Sequence, residues 1–175
     1  MKISNMKVSI LIYLALSTIL VFSSFQTADA YVREGWKFYS KNMTYKWGNR
    51  LDDCSSCTIK TGWINSTSAW KNSNGMNLYY HKNSVNILNS WSEKSSTYYG
   101  RMTTTYNKTT KIVTKLKGEI NAGNTNITKR NVAKSTAVHE WGHAMGIGHN
   151  SGNSIMNSNR NRTKVHNPTT DDKPC

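Results

Sequence analysis

Hydrophobic spacing changes several times along this chain, and each change marks an element. Between Val8 and Phe22 apolar residues run almost unbroken behind Lys2 and Lys7. Farther on they thin out and become periodic. Thr58 to Lys71 sets Ile59, Trp63, Thr67 and Trp70 at spacings of four, four and three, the stripe of an amphipathic helix. Asn74-Gly75 is a stop signal for that helix. Met43 to Trp47, Met76 to Tyr80 and Tyr98 to Tyr106 read as strands. From Lys111 to Asn121 the alternation is clearer: Ile112, Thr114, Leu116, Gly118 and Ile120 fall on one side of a pleat, with Lys115, Lys117 and Glu119 on the other. A turn-rich loop from Asn121 to Asn126 follows. Thr128 or Asn131 then caps a helix running through Trp141. Its buried stripe is Ala137, Val138, Trp141, Ala144 and Met145. Val132, Thr136, His139 and His143 lie along a different line, which turns the two histidines away from the core face.

The leading apolar run is an export signal rather than a structural helix. Two lysines precede it, Ala28-Asp29-Ala30 supplies small residues for cleavage, and the run is shorter than the ~20 residues of a membrane span. The expectation is a signal peptide over 1–30 and a secreted, monomeric domain over 31–175 with no stable membrane anchor. That length suits one hydrophobic core. Trp and Tyr dominate its aromatic content, so the polar edges of buried rings need partners.

The net charge is +14, and loss of Lys2, Lys7 and Asp29 with the leader changes it by one unit. Such a surface attracts polyanions. An exported protein meets anionic cell-wall polymers first, the basic residues are scattered, and no nucleic-acid motif is present, so nucleic acid is not an expected partner. Of Cys54, Cys57 and Cys175, the first two are set for a local loop disulfide, with Cys175 spare. A zinc ribbon would need a second cysteine pair that the sequence lacks.

Residues 139–149 read His-Glu-Trp-Gly-His-Ala-Met-Gly-Ile-Gly-His. The first five form HExxH, in which two histidines one helical turn apart can grip one metal ion. Glu140, rotated by ~100° from His139, sits beside the metal as a base rather than a ligand. On a continuing helix His149 would lie ~15 Å beyond His139. The chain must therefore turn back, and Gly146 stands where a positive φ is needed. Three neutral nitrogens on Zn²⁺ leave one position open, which is the arrangement of a catalytic site.

The whole pattern, HExxHxxGxxH, resembles that of the metzincin zinc endopeptidases. Ser154-Ile155-Met156-Asn157 looks like the Met-turn of that clan, with Met156 as its methionine. Pro168-Thr169-Thr170-Asp171-Asp172 resembles the P-x-x-D-D segment of matrixin-type members, so small bacterial matrixin-like proteins are the nearest match. Asn150 follows the third histidine where matrixins usually carry Ser, and no Tyr follows Met156 closely. The motifs occupy only about residues 131–172.

The resemblance implies an α+β fold: a twisted mixed β-sheet with a backing helix and an active-site helix, shortened at the C-terminus because matrixins continue into a last helix beyond this point. It also implies one catalytic Zn²⁺ held by His139, His143 and His149, with Glu140 as general base. A protein or peptide substrate would lie along an edge strand, for which Lys111 to Asn121 is the expected segment. Two other readings stand beside this one. The first is a basic secreted protein that keeps the metal shell but binds wall polymers with little or no catalysis. The second is a zinc amidase acting on peptidoglycan. His81 and His166 receive no role.

Overall fold

The computed structural model describes residues 33–54 and 57–172. The expected leader and Cys175 lie outside them. In chain order the elements are β1 (Asn42–Trp47), α1 (Asn49–Asp52), α2 (Thr58–Asn74), β2 (Asn77–Tyr80), β3 (Ile87–Trp91), β4 (Gly100–Tyr106), β5 (Val113–Asn121) and α3 (Arg130–Ala144). Short 3-10 turns lie at Thr125–Thr128 and Thr170–Asp172. The architecture is α+β, with a mixed five-stranded sheet in the order β2-β1-β3-β5-β4. β1, β2, β3 and β5 pair in parallel, and β4 runs antiparallel to β5. Among the described residues no helix is long and apolar enough to cross a membrane.

The α2 stripe packs as its spacing predicts, with Ile59, Trp63 and Trp70 buried and Thr67 at its margin. Gly75, at φ 75°, ends the helix in the left-handed conformation, and its N–H donates to the Lys71 carbonyl. The two long helices approach closely where Gly62 faces Ala133: a Cβ on Gly62 would stand 2.9 Å from the Ala133 carbonyl carbon. Trp63 and Trp141 meet edge to face at 6.1 Å between ring centres. Trp70 Nε1 donates to the Val138 carbonyl at 2.9 Å and Trp63 Nε1 to that of Asn89 at 3.4 Å. Trp141 Nε1 is buried with no partner, so the requirement for partners is met at two of these rings only. Cys54 and Cys57 are joined by a disulfide just ahead of α2.

Four expectations are corrected. The Lys111–Asn121 segment is not an edge: β5 lies between β3 and β4, and β4 is the outer strand. Its alternation also fails at both ends, since Thr114 is exposed whereas Glu119, on the lysine side, is buried. Arg101 Nε at 2.8 Å and Lys117 Nζ at 3.0 Å cover that carboxylate. Burial works to raise its pKa, and these two cations outweigh it and hold the group below the usual carboxylate range. Neither Thr128 nor Asn131 caps α3: the N-cap is Lys129 without a side-chain bond, while Thr128 Oγ1 donates to the Thr125 carbonyl. Strand β3 has no counterpart among the expected elements. Finally, the histidine line of α3 does not face outward, because Val132, Thr136 and His139 are buried together with the opposite stripe.

Candidate metal centre

Helix α3 carries His139, Glu140 and His143, and the way it ends brings in the third histidine. Gly146 adopts φ 81°, the Gly146 N–H donates to the His143 carbonyl at 2.9 Å and the Ile147 N–H to that of Gly142 at 3.0 Å. The chain therefore reverses within one turn. Any side chain at this position would also strike the Trp36 carbonyl oxygen, 2.6 Å from the place of a Cβ. The N-terminal segment satisfies the helix end from outside: Trp36 Nε1 donates to the carbonyls of His143 at 3.3 Å and Ala144 at 3.2 Å. The Glu34 N–H reaches the Gly146 carbonyl at 2.8 Å.

With the chain turned back, three imidazole nitrogens converge. The Nε2 atoms of His139, His143 and His149 are separated by 3.2, 3.2 and 3.1 Å. Ligands ~2.0–2.1 Å from a tetrahedral ion lie about 3.3–3.4 Å apart, so the triangle has the size of one tetrahedral face. His139 Nδ1 lies 2.7 Å from the Ile155 carbonyl and His143 Nδ1 2.9 Å from that of Ile147. A carbonyl can only accept, so each Nδ1 carries the proton and each Nε2 offers a lone pair. Converging lone pairs repel one another unless a cation stands among them, and a donor set of three imidazoles suits zinc. The three residues could hold a metal ion, and they are the cluster of this kind found among the described residues.

The electrostatics point the same way. Burial, followed by Arg160 and the neighbouring histidines, pushes the His139 imidazole well below its ordinary pKa, although the Ile155 carbonyl pulls in the other direction. Burial, and then His149, lowers His143 to about 4. Both rings are therefore neutral at physiological pH, the form in which an imidazole can hold a metal ion.

Glu140 stands beside this triangle, buried against the start of β4. A Cβ on Gly100 would lie 2.5 Å from Glu140 Oε1 and 2.7 Å from Thr136 Cγ2, so only glycine lets the strand come this close. Burial pushes the Glu140 carboxyl up to about 8, against the pull of Arg160 and Arg162. His139, Glu140, His143 and His149 share one cavity of about 480 Å³ with Tyr99, with Gly100, Arg101 and Met102 at the start of β4, and with Arg160 and Arg162.

Beneath α3 the Ser154–Asn157 turn buries Met156 completely, with its sulfur packed at Gly142, where a side chain would collide with it. Asp172 holds this turn in place. Its carboxylate accepts from the Ile155 N–H at 2.9 Å, the Met156 N–H at 3.1 Å, the Ser154 hydroxyl, and the Thr169 N–H and hydroxyl at 2.8 and 2.9 Å. The structure thus brings all the expected site residues together. It adds Arg160, which no motif marked. Its Nε and Nη2 donate to the Ser135 hydroxyl and carbonyl at 3.0 and 2.9 Å, and its Nη1 lies 3.1 Å from His139 Nδ1.

A scan against models of protein families finds no match for this chain, and a search of curated proteins finds no relative.

Proposed function

We propose that this protein is an exported zinc endopeptidase of the metzincin type, with a metzincin-like catalytic domain. The observation that carries the reading is the triangle of Nε2 atoms at 3.1–3.2 Å with Glu140 on the adjoining wall. A closed structural site would fill its fourth position with another ligand, whereas here a cavity opens beside the histidines. His139, His143 and His149 would hold the ion, which when bound supplies a Lewis acid and lowers the pKa of water.

The chain's own groups account for the rest of the chemistry. Glu140 takes the proton that the attacking water gives up and returns it to the departing amine. Without a metal, burial favours the protonated form of Glu140; a cation held by the three histidines would favour the carboxylate that a base must be, and the same burial would help it keep the proton between the two transfers. The Ile155 and Ile147 carbonyls fix the tautomers and orientations of His139 and His143. Among the described residues β4 pairs only with β5, which leaves its outer edge to align an extended peptide by strand addition next to the site. Recognition through backbone bonds favours unfolded chains and loops as substrates.

The test is hydrolysis of an unfolded, quenched protein substrate by the exported protein purified with zinc. Cleavage that a chelator abolishes and added zinc restores is the expected result. A folded, zinc-loaded protein that leaves the substrate intact would refute the endopeptidase reading in favour of binding to anionic wall polymers.

A further inference from the structure

The site cavity carries positive charge that the proposed chemistry does not use. Arg160 directs its donors to Ser135 and to the Asn157 carbonyl at 3.0 Å. Arg162, also on the cavity wall, lays its guanidinium over the Tyr99 ring at 4.0 Å from the ring centre. Its Nη2 donates to the Ser158 carbonyl at 3.0 Å, and its Nε is buried with no partner. Among the described residues no carboxylate lies within ion-pair distance of either arginine. The third arginine of the cavity, Arg101, is already neutralised by Glu119. Among the described residues Glu140 is the one acid lining the cavity.

Arg162 therefore carries a charge with no counter-charge at ion-pair distance among the described residues, and a guanidinium held over an aromatic ring has already given up much of its conformational freedom. Such a group is prepared for a planar acceptor, and the best match for its fork of donors is a carboxylate. A basic side chain entering the cavity would add repulsion and a neutral one would leave the guanidinium charge uncompensated; an acidic one supplies the missing counter-charge.

We propose that this cavity selects peptides with an Asp or Glu side chain close to the cleaved bond, and that Arg162 is the specificity-determining residue that binds the carboxylate. This substrate class rests on the endopeptidase reading. The recognition itself requires only the cavity and can be measured without catalysis.

The experiment uses two peptides that differ in one residue, Glu in one and its uncharged twin Gln in the other. Binding of both to the zinc-free protein is measured by calorimetry, and cleavage of both by the zinc-loaded protein. The Glu peptide should bind, and be cleaved, roughly tenfold or more better, as expected for one charge-assisted hydrogen bond. Arg162→Gln should bring the ratio close to one, and Arg162→Lys should keep part of it. Lys82→Gln, which removes the same charge from an exposed site outside the cavity, should leave the ratio unchanged and so separate local recognition from the general attraction of a basic surface.

A ratio near one in the unaltered protein overturns the proposal, and so does a preference that survives Arg162→Gln. The peptide comparison in the unaltered protein decides even where a variant fails to fold. Failure to cleave the unfolded protein substrate of the functional test would remove the endopeptidase reading, while binding of Glu over Gln would still establish acid recognition.

Discussion

The two long helices of this protein pack against each other but are buried in different ways. α2 buries one stripe, Ile59, Gly62, Trp63, Ser66, Ala69 and Trp70, and leaves Ile64, Asn65 and Ser68 in solvent. α3 buries eleven of its fifteen residues, among them Ser135, Thr136, His139 and Glu140. On α2 the polar side chains other than Ser66, whose hydroxyl donates to the Trp63 carbonyl at 2.6 Å, keep at least partial exposure. On α3 each buried polar group carries a desolvation cost, and specific partners offset it: Ser135 Oγ donates to the Val165 carbonyl at 2.7 Å and Thr136 Oγ1 to that of Val132 at 2.9 Å. The contrast separates a helix that serves as a wall from one whose polar residues are fixed in position, which is what a reactive site needs.

The strongest way to break this contrast is to remove the support under α3. Asp172→Ala deletes the acceptor for three backbone N–H groups and two hydroxyls. It should cost about 3–5 kcal/mol in urea unfolding, the range for breaking a buried charged network. A loss below about 1 kcal/mol would show that the turn holds itself.

Glu140→Gln sharpens the contrast through pH. In the metal-free protein the folded pKa of Glu140 is raised to about 8 from 4.5. Folded and unfolded chains both hold this proton below 4.5; as pH rises the unfolded chain loses it first, so stability falls until about 8. The Gln variant lacks this term. Its advantage over the unaltered protein should therefore widen by up to about 1.4 kcal/mol per pH unit through that window, as read from urea midpoints. Bound zinc should shrink the difference by drawing the carboxyl pKa down. A gap that does not change with pH would contradict the burial account of Glu140.

The smallest effects compare one serine on each helix. Ser135→Ala removes a hydroxyl that donates to Val165 and accepts from Arg160, and should cost about 1–3 kcal/mol. Ser68→Ala, on the exposed face of α2, should stay within about 0.5 kcal/mol. Equal costs in thermal unfolding would remove the distinction between the two helices.

Much of the site was legible because it is local. Two histidines at helical spacing, a glutamate between them and a glycine where the helix must stop are properties of eleven consecutive residues, and backbone geometry alone turns them into a cluster. The α2 stripe and its Gly75 stop were readable for the same reason. What escaped depends on pairing between distant segments. β3 alternates poorly because its inward positions are Leu88 and the small polar Ser90. Periodicity shows which face of a strand is buried but not which strand is its neighbour, so it does not separate the inner β5 from the outer β4. Arg160 and the three donors that Ser154, Ile155 and Met156 direct to Asp172 join segments that no spacing rule connects, although Asp172 lies inside the P-x-x-D-D segment. The α3 N-terminus has no side-chain cap, so no capping residue marks where the helix begins.

The most direct test of the central claim compares the unaltered protein with Glu140→Gln, both zinc-loaded and matched in metal content, on the same unfolded protein substrate. The account predicts equal zinc, intact folding and a loss of hydrolysis of roughly 10²- to 10⁴-fold in the variant. Equal hydrolysis by the two proteins would contradict it, because Glu140 would then not be the base and the cavity beside the histidines would not be the place where the bond is cut.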